Sequence, residues 1–405
     1  MSIKFDFDKV VDRRGTGSYK WDDCGGAEYP LWVADMDFET APAVRKAIEE
    51  RAAHGIFGYN IVPDEWYEAY MSWWDRRHHI SFKKDWLIFC TGVVPAISST
   101  VRKLTEPGDN VVILTPVYNI FFNSIRNNGC NIYEVPLIYD KEALCKACAD
   151  VGNTGEDNIS RDIYSIDFEK LEEALSEEKT KLLIFCNPHN PVGRIWRREE
   201  LAKVGELCAK HGVTVLSDEI HCDLTDPGKE YIPFASVSDT CRDISITAIA
   251  ATKTFNIAGM QTAAVMIPDL ALRKLIWRAL NTDEVAEPNS FAVPVTVAAF
   301  NEGGEWLDAL RDYIYNNKCL VRDFLAERLP DIKLIPSEAT YLLWLDVSAT
   351  GMDGEELSKK LKKETGVYLT AGSEYGKTGK NFLRMNIACP RSRLTEALER
   401  MATIL

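Results

Sequence analysis

The chain has 405 residues, 46% apolar and 27% charged, which is length for two or three domains at roughly 100–200 residues each and the composition of a folded rather than a disordered polymer. A small disulfide-stapled fold is excluded. Acidic residues outnumber basic ones by 61 to 47, for a formal charge of −14, so nucleic acid and anionic membrane surfaces are repelled overall and neither is expected as a partner.

The opening stretch, MSIKFDFDKVVDRRG, has neither a continuous apolar segment nor a small-residue cleavage site. Nothing further on approaches about 18 uninterrupted apolar residues, and the reading is a cytoplasmic protein. The eleven cysteines are an odd number, and several sit in apolar runs, as Cys90 in LIFC and Cys186 in LLIFC. There a reduced thiol packs as a small hydrophobe, which fits a reducing compartment. Cys145 and Cys148 form a lone CxxC without a companion pair, and no metal is expected.

In chain order, residues 1–45 read as an N-terminal arm whose apolar run YPLWVADMDF packs with a small domain. Residues 46–288 form a large domain in which short β-branched runs alternate with amphipathic stretches, the texture of a mostly parallel sheet covered by helices. The runs are LIFC (87–90), VVIL (111–114), LLIF (182–185), TVL (214–216) and ISITAI (244–249). Between the third and fourth, REELAKVGELCAKHG places Leu201, Val204, Leu207 and Cys208 at helical spacing, with acids near its start and Gly212 at its end, completing a strand–helix–strand unit. Residues 140–163 are polar in their second half and read as an exposed excursion. From 289 to 405 longer helical patterns, the runs TYLLWLDV and FLRMNI, a Lys-rich helix over about 354–365 and a terminal helix from about Arg393 predict a smaller α+β domain.

Ligands in open α/β sheets bind beyond the carboxyl ends of the strands, and four such ends here carry unusual polar residues. After LIFC, Gly92, Val93 and Val94 open a helix whose free N–H groups suit a phosphate; by itself the turn is weak, since most glycine turns before helices are only turns. After LLIF, two prolines and a glycine fix the backbone around Asn190, whose amide can donate to a ligand oxygen. After TVL comes Asp218, a carboxylate that needs a cationic partner if buried; a protonated heteroaromatic nitrogen would serve. After ISITAI, Lys253 stands among small and apolar residues, where desolvation makes an amine nucleophilic toward a carbonyl. A lone lysine is ordinarily a solvated charge, but the four ends in series favour chemistry. No GxGxxG follows a strand, which argues against a dinucleotide site.

The motifs NPHNPVG, SDEIH and ATKTFNIAG, with TGVVP upstream and FLRMNIACPRSRL near the end, resemble the fold-type I pyridoxal-phosphate enzymes of the class I/II aminotransferase superfamily. More narrowly, they resemble its carbon–sulfur β-lyase branch, the cystathionine β-lyases of the maltose-regulon-modulator type. The resemblance implies pyridoxal 5'-phosphate as cofactor, bound through a Schiff base to Lys253. It implies Asp218 on the pyridine nitrogen, Asn190 on the phenolic oxygen, Tyr118 stacked on the ring and Gly92, Val93 and Val94 at the phosphate. Arg384 would grip the substrate α-carboxylate. Tyr59 would reach the phosphate of a neighbouring subunit, making the active unit a homodimer with a shared site. His221, where aminotransferases commonly carry Tyr, is expected at the cofactor in the lyase branch, against the alternative of a packed core histidine. Ala250, where many relatives place a phosphate-binding Ser, leaves that anion to other donors. The implied reaction is elimination of a thiol from a small amino acid such as cystathionine or cysteine, leaving pyruvate and ammonia, with Lys253 as general base and Tyr118 and Asp218 in catalytic support. An aminotransferase, and a non-catalytic regulatory protein on the same fold, are the competing readings.

Overall fold

The computed structural model describes residues 5–149 and 163–405. Seven strands form the central sheet: β1 (Leu87–Cys90), β2 (Asn110–Thr115), β3 (Asn131–Pro136), β4 (Thr180–Cys186), β5 (Thr214–Asp218), β6 (Ser245–Ile249) and β7 (Ala263–Met266), in the order β1-β7-β6-β5-β4-β2-β3. Strands β2 to β6 run parallel, whereas β7 is antiparallel to both of its neighbours. The strands read from sequence are all present. All five were placed to within two residues at either end, TVL extending by two residues to Asp218. The sequence reading missed β3 and β7.

The strands are apolar on both faces because both faces are covered. Along β2, Val112 and Leu114 enter one core while Val111 and Ile113 enter the other, and Leu183 and Leu182 of β4 divide in the same way. The helix Arg198–Lys210 buries Leu201, Val204, Leu207 and Cys208, the four residues read at helical spacing, and delivers the chain from β4 to β5.

A second, four-stranded antiparallel sheet is built from β8 (Lys333–Leu334), β9 (Leu342–Asp346), β10 (Thr370–Ala371) and β11 (Phe382–Asn386), in the order β8-β9-β11-β10. The 25-residue helix Gly304–Arg328 leads into it, burying Trp306, Leu310 and Leu325, with Tyr313, Leu320 and Phe324 packed against the same core. The Lys-rich helix spans Gly354–Thr365 and the last helix Arg391–Met401. In the N-terminal arm, Tyr29–Pro30 pairs in parallel with Val367–Tyr368, and the helix Pro42–His54 spans position 45, where the arm was expected to give way. The polar excursion begins as a helix, Lys141–Ala149; its second half lies outside the described residues, as does the side chain of Cys148.

Among the described residues no helix is long and apolar enough to cross a membrane. Most of the described cysteines are buried and all are free, Cys145 being exposed.

Candidate active site

The carboxyl ends of β4, β5 and β6 lie abreast, with Cys186 opposite Asp218 and Asp218 opposite Ala248. This register makes the three loops that follow converge on one cleft. The Asn187 and Glu219 amides tie the loops at their bases, donating to the carbonyls of Asp218 at 2.9 Å and Ala248 at 3.0 Å.

Asp218 is 3% exposed. Its carboxylate accepts from the Ile220 amide at 3.2 Å. Burial raises its pKa to about 7, opposed by that amide and by the nearby Lys253 ammonium. Such a carboxylate is stabilised by a cation brought to it. Lys253 donates to the Ala34 carbonyl at 2.6 Å, and desolvation lowers its pKa, with Asp35 and Asp218 opposing and Arg384 assisting. The buried Asn190 carries a side-chain oxygen without a hydrogen-bond partner. Its loop is held in place by Gly193, at φ +70°, whose carbonyl accepts from the amides of Glu338 at 2.8 Å and Ala339 at 3.0 Å.

His221 is buried with its Nδ1 unpartnered. Burial, helped by Lys253 and Arg384, lowers its pKa to about 3, so the ring is neutral and lies edge-on to Tyr341 at 6.2 Å. Tyr118 follows β2, partly buried, and desolvation raises its hydroxyl to about 12, with Arg384 opposing and Asp218 assisting. The helix Val93–Leu104 begins directly after Gly92 without a side-chain cap, leaving first-turn N–H groups available for an anion.

Arg384 comes from the other sheet. It sits in the middle of β11, between Trp344 of β9 and Thr370 of β10, and is 5% exposed. Its Nη2 donates to the Trp32 carbonyl at 2.7 Å and its guanidinium lies 4.8 Å from the Tyr375 ring centre. Nε and Nη1 are buried without a partner. A buried guanidinium with N–H groups left free fits an anionic carboxylate.

Nine of the ten expected residues thus lie just beyond strand ends, in the turn and helix after β1, or on β11, and Lys253, Asp218, His221, Tyr118 and Arg384 are near enough to act on one another's charge. The tenth, Tyr59, is fully exposed at 103% on the loop after helix Pro42–His54, and within a single chain it is not brought to the others.

Several residues of the cleft went unread. Glu219, next to Asp218, is a buried hub that accepts from Ser217 at 2.8 Å, the Phe234 amide at 3.0 Å, Asn187 and the Tyr231 hydroxyl. His189 donates to the Pro116 carbonyl at 2.8 Å, joining the Asn190 loop to the Tyr118 loop; burial lowers its pKa to about 4, which leaves one N–H for that bond. Asp223 accepts from Trp73 at 3.0 Å, His78 at 2.9 Å and Thr254, the neighbour of Lys253, at 2.9 Å. His78, Cys222 and Asp223 bring ligand atoms within 4.8 Å of one another, but with both Asp223 oxygens engaged the cluster is a hydrogen-bond hub behind the lysine loop. The signal for Asp35 was present in the sequence, as acids inside the apolar run YPLWVADMDF.

The family model for aminotransferase class I and II matches residues 30–401, and the chain belongs to that family. It is 42% identical to the cystathionine beta-lyase PatB of Bacillus subtilis over 98% of this chain and 99% of the relative. Against the protein MalY of Escherichia coli the identity is 32%, over 97% of each. Among solved structures, cystalysin from Treponema denticola, which contains pyridoxal 5'-phosphate, superposes with a TM-score of 0.91 at 32% identity over 99% of this chain and 98% of its own. The fold is therefore the fold-type I architecture expected from the motifs, and the resemblance to the carbon–sulfur lyase branch holds over the full length.

Proposed function

We propose that the protein is a pyridoxal 5'-phosphate-dependent carbon–sulfur β-lyase that releases a thiol, pyruvate and ammonia from a small L-amino acid of the cystathionine or cysteine type. The observation that carries this reading is one cleft holding a desolvated lysine, a buried carboxylate lacking a strong cationic partner and a buried guanidinium with two free N–H groups. Likeness to a named cystathionine beta-lyase along the whole chain supports it.

The residues present suit the cofactor. Lys253 would hold its aldehyde carbon, Asp218 its ring nitrogen, Asn190 its phenolic oxygen, the Gly92–Val94 amides its phosphate, and Tyr118 and His221 the flanks of its ring. Bound there, the cofactor supplies an imine-forming aldehyde and a ring that withdraws the negative charge developing at the substrate Cα.

Arg384 binds the α-carboxylate through N–H groups left free on its guanidinium, while the Trp32 carbonyl, accepting from Nη2, keeps the guanidinium plane from turning. Because burial lowers its pKa, more of the Lys253 amine is unprotonated near neutral pH than in water, so it can accept the Cα proton as general base. The neutral His221 adds no competing positive charge beside that amine. The hydroxyl of Tyr118, pushed up to about 12, keeps its proton through the working range. Glu219 and His189 hold the two loops that carry Asp218, Asn190 and Tyr118.

The exposed apolar residues Ile56, Phe57 and Ile61 around Tyr59 support a homodimer in which this loop enters a neighbouring subunit's site. The deciding experiment is incubation of the cofactor-loaded protein with cystathionine and no 2-oxo acid. Stoichiometric pyruvate and thiol support the lyase, whereas product formation dependent on 2-oxoglutarate makes the protein an aminotransferase.

A further inference from the structure

The segment 32–38 lies between the two sheets and is fastened to each. Asn386 of β11 donates to the carbonyls of Val33 at 2.6 Å and Asp35 at 2.8 Å. From the other side Asn256, three residues after Lys253, donates to the carbonyls of Met36 at 3.1 Å and Phe38 at 2.8 Å and accepts from the Met36 amide at 3.2 Å. Two further carbonyls of the segment end on the chemistry, Trp32 on Arg384 and Ala34 on Lys253. Asp35 stands next to that second contact. Arg13 fixes its carboxylate at 2.7 Å and reaches Asp37 at 3.0 Å, and Lys20 completes the chain on Asp37 at 2.9 Å.

We propose that Asp35 is a positioning residue for Lys253: aimed by Arg13, its carboxylate draws the side-chain nitrogen toward the side of the Ala34 carbonyl and steadies positive charge on that nitrogen, whether the amine is free or joined to the cofactor. The inference rests on the reading of Lys253 as the cofactor-bearing lysine.

The groups facing the amine are Asp218 and His221 from the end of β5 and its loop, Arg384 from β11, and Asp35 from the arm. Among the charged ones Asp35 acts most strongly on it, ahead of Arg384 and Asp218. The Tyr341 hydroxyl, pushed up by burial, is also raised by Asp35. An ammonium is favoured by a nearby negative charge and by a carbonyl acceptor together, and residues 34 and 35 provide both from consecutive positions.

The test uses the loaded full-length protein, with the visible absorbance of the cofactor–Lys253 linkage followed against pH. Asp35→Asn should lower the midpoint of that titration by about one unit, the size expected when a close opposite charge is lost, and should reduce kcat with little change in KM. Asp35→Ser is a second neutral variant that should behave alike if the first folds poorly, and Asp35→Glu should restore the midpoint. A midpoint unmoved in both neutral variants overturns the role of Asp35. A borohydride-fixed label recovered on another lysine would instead overturn the assignment of Lys253, so the two failures are distinguishable.

Discussion

A buried charge without a partner costs stability, and the cleft holds two such groups in waiting. Asp218 has a folded pKa raised from 3.8 to about 7. Its contribution to stability is therefore fully present below about pH 4 and is lost as the pH rises through about 7. In the cofactor-free protein, Asp218→Asn should raise stability at pH 8 by on the order of 2 kcal/mol and leave it nearly unchanged at pH 4. Chemical denaturation at the two pH values measures this, and equal effects at both would contradict it. The same variant should bind cofactor more weakly, since the ring nitrogen loses its charged partner. Arg384 is the second group. Arg384→Ala should raise KM for the amino acid by one to two orders of magnitude, the worth of a charge-assisted hydrogen bond of roughly 1.5 to 3 kcal/mol, and steady-state kinetics with an unchanged KM would remove it from carboxylate binding.

At the scale of elements, the site depends on loops that are held rather than on the strands alone. Gly193 shows how tightly: a Cβ there would stand 2.5 Å from that of Ser337 and 2.8 Å from the Ala339 carbonyl, at a φ of +70° that L side chains rarely adopt. Gly193→Ala should cost about 2 kcal/mol or more of stability and displace the loop that carries Asn190. Thermal unfolding and cofactor affinity report the two effects, and a variant neutral in both would show that the loop is not pinned there. The strands leading to the loops were legible because runs such as LLIF are buried on both faces and bounded by Asn, Pro and Gly. Strand β7, AAVM, was not, since short runs of small residues carry no period that separates strand from helix. The helix Asp64–His78, DEWYEAYMSWWDRRH, was obscured by aromatic residues that are as common in strands. The arm's hold on Arg384 and Lys253 runs through backbone carbonyls of Trp32 and Ala34, which leave no mark on residue identity.

At the scale of the whole molecule, the cleft lies between two sheets and draws on three stretches distant in sequence: the arm, the strand ends of the large sheet, and β11. The motif series gave the strand-end residues and Arg384, because each rests on a side chain with one evident chemical use. Tyr59 is different, since a fully exposed tyrosine in an apolar loop gains a role only in an assembly. If the site is shared across a homodimer, Tyr59→Ala alone should weaken cofactor affinity about tenfold. At a cofactor level too low to fill the Tyr59→Ala sites, mixing that variant with Lys253→Ala should restore activity toward about a quarter of the normal value, because half the dimers would then hold one intact site of two. Activity that stays at the level of the separate variants after subunit exchange would speak against a shared site.

The most direct measurement is reduction of the purified, cofactor-loaded protein with borohydride, followed by peptide mapping of the fixed pyridoxyl group. The account predicts the label on the peptide ATKTFNIAG, at Lys253, and none in Lys253→Ala. A label on any other lysine, or a protein that takes up no cofactor under saturating conditions, would contradict it.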